Sequence, residues 1–496
     1  MSISIKAGVF NRLRSLVVVT SGIPGLHWLY VRYYRLALGL VIRFLGRDKD
    51  VLVLMVRSGE KPGRGPDSSS AAESTCRPGI SDIDLTVIVR PHSVPERLSF
   101  LRWFWRRYSQ LRMIAPMLVE VDILTLEEFA ASLRIACPPM QSRKTFRIVL
   151  DRLSPPEQEV LQDALAMKDR RTDFRDHQRN LLMRYQYFTL PHLFQAGRPN
   201  DISTTLLNHS LKKMADLIQP SVDRARFDAL DATGKLHALL PLLRSHLSRH
   251  PSPDGVDIKE AAFDLRILGA HGHQEDDPLA IELHSLLNET LVPGDLEGTN
   301  IVFWRSPADD GCFSVSVLIA DDASEEHLCK AFSTIRRFRS AFDPLLADRL
   351  TSDPNLFGQD QGWPLLLPMS LWPIWCRTYP LEAAAIKQGG CVIKGDGPVV
   401  CPEPERDDFL QSASVQYGIW LINRNDWAKE AEPRRTELFG AMSAHIQRYR
   451  NALTDSSPIP AEHQPGESRK SFEDVYRTSG LQLDRLGDTI KASESH

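Results

Sequence analysis

Short apolar runs separated by polar stretches dominate the first 135 residues. Residues 51–56, 82–89 and 117–124 are brief and rich in Val, Ile and Leu, which is typical of strands buried on both faces. Residues 93–111 place apolar side chains at helical spacing and carry a proline and a glutamate in the expected first turn. The pattern predicts a compact unit of strand, loop, strand, helix and strand, with a small mixed sheet.

The rest of the chain is mainly helical in its periodicity, so the predicted fold class is α/β, more narrowly α+β. Residues 60–78 are rich in Gly, Pro and Ser and predict a loop between the first two strands. The predicted organisation is an N-terminal helical segment (1–48), an α/β core (49–135), a helical domain (136–290), a second α/β domain (291–400), a helical segment (401–454) and a partly disordered tail (455–496).

The second α/β domain is predicted because the chain echoes its own pattern near residue 300. The corresponding segments are 53–58 (VLMVRS) with 301–306 (IVFWRS), and 83–90 with 313–320. In this alignment Asp82 corresponds to Cys312 and Asp84 to Ser314, so the second segment lacks the acids of the first. Two hypotheses stay open: a degenerate duplicate of the core, or chance agreement between buried strands of similar composition.

Composition excludes several classes of protein. The chain has 496 residues, of which 42% are hydrophobic and 25% charged, which is typical of globular rather than disordered or fibrous chains. Sixty Lys and Arg stand against 63 Asp and Glu, giving a formal net charge of −3. Binding of nucleic acid by bulk positive charge is therefore not favoured, although a local basic surface is compatible with these numbers.

Cysteine usage and hydropathy bear on the cellular compartment. The seven cysteines are scattered and never spaced as C-x-x-C, which argues against a disulfide framework or a structural zinc site. The most membrane-like stretch, 26–45, is interrupted by three arginines, whereas a spanning helix needs about 20 predominantly apolar residues. We expect a cytoplasmic protein with no membrane partner.

Acidic residues on two of the predicted strands are the strongest candidates for chemistry. Alternate residues of a strand point to the same face, so Asp82 shares a face with Asp84, and Glu120 with Asp122. If the two strands are neighbours, three or four carboxylates converge. Such oxygen ligands suit magnesium and a two-metal phosphoryl-transfer site. A bare D-x-D is more often a solvated strand face; here the Gly-Ile-Ser lead-in, the apolar continuation and the second acidic strand favour a site.

The segment Pro-Gly-Ile-Ser-Asp-Ile-Asp-Leu (78–85) follows a strand that ends in a serine turn and precedes an acidic strand. This arrangement, over residues 50–125, resembles the DNA polymerase β-type nucleotidyltransferases, nearest the aminoglycoside nucleotidyltransferase-like branch. The resemblance implies a nucleotidyltransferase core at 49–135 and a degenerate nucleotidyltransferase-like domain at 291–400. It also implies a magnesium-dependent transferase, with two ions, that uses a nucleoside triphosphate, ATP being expected.

Site residues follow from the same resemblance. Asp82 and Asp84 would bind metal, and either Asp122 or Glu120 would be the third acid, acting as a metal ligand or as a general base. The turn residues Ser58, Arg57 and Ser81 would contact the nucleotide. This chain departs from the family pattern because Arg57 stands where a glycine is expected and because the following loop is unusually long.

The implied reaction moves a nucleoside monophosphate from the triphosphate to a hydroxyl acceptor and releases pyrophosphate. The acceptor stays open between a small molecule, a protein side chain and an RNA end. A non-catalytic binding or scaffold protein, built from eroded nucleotidyltransferase folds, is the alternative; the altered turn and the acid-free second segment motivate it.

Two other enzyme classes share the D-x-D. Asp82-x-Asp84-x-Thr86 also fits the nucleophile loop of haloacid-dehalogenase-like phosphatases, and metal-dependent glycosyltransferases carry a similar motif. In both, the apolar strand precedes the acids, whereas here it follows them, so both rank below nucleotidyl transfer. The sequence contains no P-loop motif and no dinucleotide-binding glycine motif after a strand.

Overall fold

The protein was analysed as a computed structural model. It describes residues 16–17, 20, 23–59, 83–115, 117–135, 144–168, 174–190, 192, 202–218, 224–248, 262–268, 277–290, 298–306, 312–350, 364–395, 399–432, 434–454 and 471–494. The chain divides into two compact units. The first comprises residues 1–172, 413–446 and 459–496, and the second comprises 173–412 and 447–458.

The described chain contains both helices and small mixed sheets, which confirms the mixed α/β class. Up to residue 172 the elements are α1 (Pro24–Leu45), β1 (Val51–Gly59), β2 (Ile83–Val89), α2 (Val94–Ile114), β3 (Leu118–Thr125), α3 (Leu126–Arg134), β4 (Lys144–Asp151) and α4 (Pro155–Lys168).

From residue 173 onward the elements are α5 (Phe174–Arg184), a π-helical turn (Tyr185–Thr189), α6 (Ile202–Ile218), α7 (Arg224–Ala229), α8 (Ala232–Ser248), β5 (Ala262–Asp264), β6 (Arg266–Ile267), α9 (Pro278–Thr290), β7 (Thr299–Arg305), β8 (Phe313–Ile319), α10 (Glu325–Ser340), α11 (Pro344–Arg349), β9 (Leu365–Pro368), a 3₁₀ turn (Met369–Leu371), α12 (Trp372–Thr378), α13 (Pro380–Gly389), β10 (Cys391–Lys394), β11 (Val400–Pro402), α14 (Arg406–Trp427), α15 (Arg434–Leu453) and α16 (Phe472–Glu494).

The first unit is built on a four-stranded sheet with the order β3-β2-β1-β4. β1 runs antiparallel to both β2 and β4, while β2 and β3 are parallel. The parallel pair needs a crossover connection, which α2 supplies. Its first turn carries a capping box, because the Ser93 backbone N–H donates to Glu96 Oε2 at 3.0 Å.

One strand of this sheet lies where the sequence predicted a helical domain. β4 falls inside 136–290, and that prediction is corrected for residues 144–151. The strand alternates Phe146, Ile148 and Leu150 with other residues, which is a period of two. It was obscured because Val149 also belongs to the apolar run, and short apolar runs do not distinguish strand from helix.

The C-terminal tail, residues 455–496, was predicted to be a partly disordered extension. Residues 472–494 of this tail form the helix α16, which the sequence analysis did not predict. The helix buries Tyr476, Leu483, Leu486 and Ile490. These positions recur at helical spacing and pack α16 into the first unit, an amphipathic signal that the polar composition of the tail concealed.

The second unit contains a five-stranded sheet with the order β6-β10-β7-β8-β9. Four of its strands repeat the plan of the first sheet: β7 is antiparallel to β8 and β10, and β8 is parallel to β9. A helix, α10, again lies in the chain between the two parallel strands. The two sheets thus share the order and the directions of four strands; the duplication itself stays a prediction.

The ladder registers correct the sequence alignment by one residue. The alignment pairs Asp84 with Ser314 and Arg57 with Arg305, and Arg57 does lie opposite Asp84 in the first sheet. In the second sheet, however, Ser314 lies opposite Trp304 rather than Arg305. Both strands are buried on both faces, so composition does not reveal a one-residue slip, although such a slip moves every side chain to the other face.

Candidate functional site

The parallel register of β2 and β3 brings two acidic residues to one face of the first sheet. Thr86 lies opposite Asp122, and residues two apart along a strand share a face. Asp84 is therefore on the same face as Thr86 and Asp122, as its diagonal neighbour. The ladder therefore places Asp84 and Asp122 on one face of two adjacent strands.

The three acids of β2 and β3 differ in how deeply they are buried. Among the described residues of β2, Asp84 alone is half-buried, while its neighbours are buried. Asp122 is buried and Glu120 is exposed. The register of β3 shifts between Leu118 and Val121, so strict alternation does not fix the face of Glu120.

Thr86 is the neighbour of both acids on this face, two residues after Asp84 on β2 and opposite Asp122 on β3. The side chain is 1% exposed, and its Oγ1 has no hydrogen-bond partner among the described residues. A buried polar atom without a partner is destabilising, so such atoms in native structures call for an explanation. From the sequence, Thr86 had a role only in the phosphatase alternative.

Predicted nucleotide-contacting residues lie at the far end of β1. In the ladder Arg57 is opposite Asp84, and Ser58 is one residue further along, opposite Thr145 of β4. Only the backbone of these two residues is described. Ser81, Asp82 and the predicted loop 60–78 lie outside the described residues.

The resemblance implies a magnesium site on this face. Within the described part of the chain, no group of three or more His, Cys, Asp or Glu side chains could hold a metal ion. Asp84 and Asp122 nevertheless supply two hard oxygen ligands on one face, beside the unpartnered Thr86 hydroxyl. The other predicted metal ligand, Asp82, lies outside the described residues.

Helix α3 packs over part of the same face. Met55 lies opposite both Thr86 and Ile148, so Phe146, two residues before Ile148, also lies on the face of Asp84. Phe129 of α3 meets Phe146 edge-on, with ring centroids 5.7 Å apart. The β4 side of the face is thus covered, while Asp84 on β2 keeps partial exposure.

The edge strand β3 is held by residues distant in the chain. The Ile123 carbonyl accepts a hydrogen bond from Asn425 Nδ2 at 2.6 Å, and the Trp105 indole N–H donates to the Asn425 carbonyl at 3.0 Å. The Tyr476 hydroxyl donates to Asn425 Oδ1. Helices α14 and α16 therefore fix the strand that carries Asp122, and nothing in the local sequence of β3 indicated this.

An ion-pair cluster lies at the start of α3. Glu128 Oε2 accepts from Arg97 Nη2 at 2.8 Å, and Arg424 Nη2 lies 3.6 Å from Glu128 Oε1. Burial alone would raise the pKa of Glu128, but the charges of Arg97 and Arg424 and a hydrogen bond from the Thr125 backbone lower it below its usual range. Glu128 is thereby kept ionised.

On the corresponding face of the second sheet, β7, β8 and β9 carry no acidic residue. Ser316, at the position aligned with Thr86, lies opposite Leu365 rather than an acid, and its hydroxyl likewise has no partner among the described residues. The Trp304 indole N–H donates to Glu382 Oε2 at 2.6 Å. Trp375 meets Trp304 at a centroid distance of 5.4 Å. The face that carries acids in the first unit is closed in the second.

Glu382 is the notable titratable group of the second unit. It is 4% exposed, and burial raises the pKa of its carboxyl to about 7, although the hydrogen bond from Trp304 and the charge of Arg448 act in the opposite direction. The sequence analysis assigned this residue no role.

Comparison with known proteins identifies no relative. The chain matches no protein-family model, no curated protein and no solved structure. Among the described helices, none combines the length and apolar character needed to cross a membrane.

Proposed function

We propose that the protein is a magnesium-dependent nucleotidyltransferase whose site lies on the Asp84 face of the first sheet. The observation that carries this proposal is the parallel pairing of β2 with β3, in which Thr86 lies opposite Asp122 and Asp84 is the diagonal neighbour. A hairpin of β1 and β2 followed by a parallel acidic strand is also the arrangement expected from the resemblance of residues 50–125.

In this proposal Asp82, Asp84 and Asp122 would hold magnesium, which when bound neutralises charge on the triphosphate and positions the reacting oxygens. Asp122 suits the third ligand position because it is buried beside Thr86. Glu120, exposed on the same strand, suits the general base. The backbone position of Arg57, opposite Asp84, suits contact with the phosphates, together with Ser58 and Ser81.

The proposed step is an in-line displacement. The acceptor hydroxyl oxygen forms a bond to the α-phosphorus of the triphosphate, and the bond from that phosphorus to the oxygen bridging the β-phosphate breaks. The hydroxyl proton passes to Glu120, and pyrophosphate leaves with the bond electrons. ATP is the expected donor; the acceptor is a small molecule, a protein side chain or an RNA end.

Pyrophosphate release tests the proposal. The full-length protein is incubated with magnesium, each of the four ribonucleoside triphosphates and candidate acceptors. We expect release with at least one triphosphate and a loss of roughly 100-fold or more in Asp84→Asn and Asp122→Asn, because each removes charge stabilisation at the reacting phosphate. Asp163→Asn, an exposed acid on α4, is the matched control and should keep full activity. Silence with all four triphosphates would overturn the proposal.

The second candidate function is a non-catalytic binding or scaffold protein. The closed, acid-free face of the second sheet favours it for that unit. Calorimetric titration with magnesium and ATP separates the candidates: the enzyme requires binding that Asp84→Ala weakens, whereas the scaffold predicts no binding, or identical binding in both proteins.

A further inference from the structure

Helix α1 carries an unusual outward surface. Five of the fourteen large hydrophobic side chains that are exposed in the described chain lie on this one helix: Trp28, Leu29, Tyr33, Leu36 and Leu40, named here the α1 patch. Leu36 is 62% exposed. Clusters of this kind on a folded protein mark interaction sites more often than scattered apolar residues do.

The opposite side of α1 anchors the helix. Ala37, Val41 and Leu45 are each 2% exposed or less, so the inner face is packed and the helix does not need the α1 patch for its own burial. Leu29, Tyr33, Leu36 and Leu40 recur every three or four residues, which places them along one outer stripe. The α1 patch is therefore presented outward by a fixed helix.

The patch continues onto α2. The Tyr33 hydroxyl donates to the carbonyl of Ile114, and both Met113 and Ile114 are exposed at the end of α2. Arg112 precedes them and is also exposed. The apolar surface thus spans two helices and has basic residues at its margin.

The positive charge near the α1 patch indicates which kind of binding partner could cover it. Residues 1–47 contain seven Lys and Arg and no Asp or Glu. The remaining residues contain 53 Lys and Arg and 63 Asp and Glu. Arg32 and Arg43 are exposed on α1, and the Arg32 guanidinium lies 5.0 Å from the centroid of the Trp28 ring. A basic helix with an outward row of Trp, Tyr and Leu has the composition of helices that lie in a membrane interface.

We infer that the α1 patch docks on an anionic phospholipid surface. The arginines would meet phosphate head groups, while Leu29, Leu36 and Leu40 would enter the boundary of the acyl chains. A nucleic acid would satisfy the charges but leave the leucines in water. A second copy of the chain would bury the leucines but bring like charges together. This proposal is independent of the proposed catalytic function and differs from the expectation, drawn from sequence, of no membrane partner.

Vesicle co-sedimentation of the full-length protein tests this inference. Vesicles of phosphatidylcholine alone are compared with an equal mixture of phosphatidylcholine and phosphatidylglycerol. We expect binding to the mixed vesicles only, a loss of at least tenfold in the double variant L29S/L36S, and a loss of about 20-fold in R32Q/R43Q, since each arginine contributes separately near an anionic surface.

Leu345→Ser is the matched control, because Leu345 is 76% exposed in the second unit, and it should bind as the unchanged protein does. Circular dichroism melts of all variants should coincide, because every substituted side chain is exposed. Equal binding to both vesicle types, or undiminished binding by L29S/L36S, would overturn the inference. So would a vesicle-independent change of oligomeric state in L29S/L36S, which would assign the patch to a second copy.

Discussion

Thr86 and Asp122 lie opposite each other across the parallel strands β2 and β3, and the hydroxyl of Thr86 is buried there with no partner among the described residues. In the second sheet the same position pairs Ser316 with Leu365. The two units therefore share a backbone arrangement and an unpartnered hydroxyl but differ in the acid beside it.

This difference leads to a prediction for Thr86→Val. Removal of a buried unpartnered hydroxyl should raise the free energy of unfolding by about 1 kcal/mol. The same change should lower pyrophosphate release roughly tenfold if the hydroxyl serves the proposed site, because a hydrogen bond to a charged group contributes about 1.5–3 kcal/mol. Urea unfolding and the pyrophosphate assay measure the two effects.

Ser316→Ala provides the control, since it removes the equivalent hydroxyl from the acid-free sheet. It should leave pyrophosphate release unchanged. A marked destabilisation by Thr86→Val would mean that the hydroxyl is hydrogen-bonded after all.

A second prediction concerns the ion-pair cluster at α3. Glu128→Gln should lower the free energy of unfolding by about 3 kcal/mol, because Arg97 and Arg424 are then left without their shared carboxylate in a largely buried position. Denaturant titration at neutral pH measures the loss. Glu437→Gln, which removes an exposed partner of Arg434, should change stability by no more than about 0.5 kcal/mol.

The contribution of the ionised Glu128 carboxylate to the free energy of unfolding should depend on pH in a defined direction. Since the folded-state pKa of Glu128 is lowered, its contribution is fully present above the unfolded value of about 4.3 and is lost as the pH falls through the folded value. The acid limb of the stability curve should therefore be shallower in Glu128→Gln. An unchanged limb would contradict the assignment.

A third prediction concerns Glu382, whose folded-state pKa is raised whereas that of Glu128 is lowered. Its folded-state pKa of about 7 lies above the unfolded value of about 4.3, so the folded protein binds the extra proton between these values. The stability that the protonated Glu382 contributes is fully present below the unfolded pKa of about 4.3. It is lost as the pH rises through the folded pKa of about 7. Over the whole interval the loss in the free energy of unfolding amounts to about 4 kcal/mol.

Glu382→Gln keeps an oxygen acceptor for the Trp304 indole but cannot ionise. Relative to the unchanged protein, we expect it to gain stability progressively between pH 5 and pH 8, on the order of 3 kcal/mol at the upper end. Trp304 and Trp375 pack against each other beside Glu382, so near-ultraviolet circular dichroism reports unfolding of this region. Glu282→Gln, at an exposed position, should show no such trend.

The sequence was sufficient for elements whose apolar pattern is local. β2, α2 and β3 were predicted within a few residues. Helix α3 begins after Thr125, whose Oγ1 caps it by accepting from the Glu128 N–H at 3.1 Å. Long-range pairing was not accessible in this way. β4 pairs with β1 although β2 and β3 lie between them in the chain, and the apolar run of β4 carries no signal that identifies its partner.

The candidate site shows the same division. Two acids at alternate positions are visible in the sequence, but their proximity depends on strand order, which periodicity does not encode. Asn425 was not identified because its contact, the Ile123 carbonyl, lies 302 residues away in the chain. Glu382 was not identified because its raised pKa arises from burial, which only the packed structure determines.

The support that α14 gives to β3 also constrains how the first unit can be isolated. A fragment ending near residue 172 would retain all four strands, yet the Ile123 carbonyl would lose the amide that now occupies it. Exposed strand edges recruit further strands from neighbouring molecules. Such a truncation should precipitate or form intermolecular sheets, whereas a fragment joined to residues 413–446 and 471–494 should stay monodisperse.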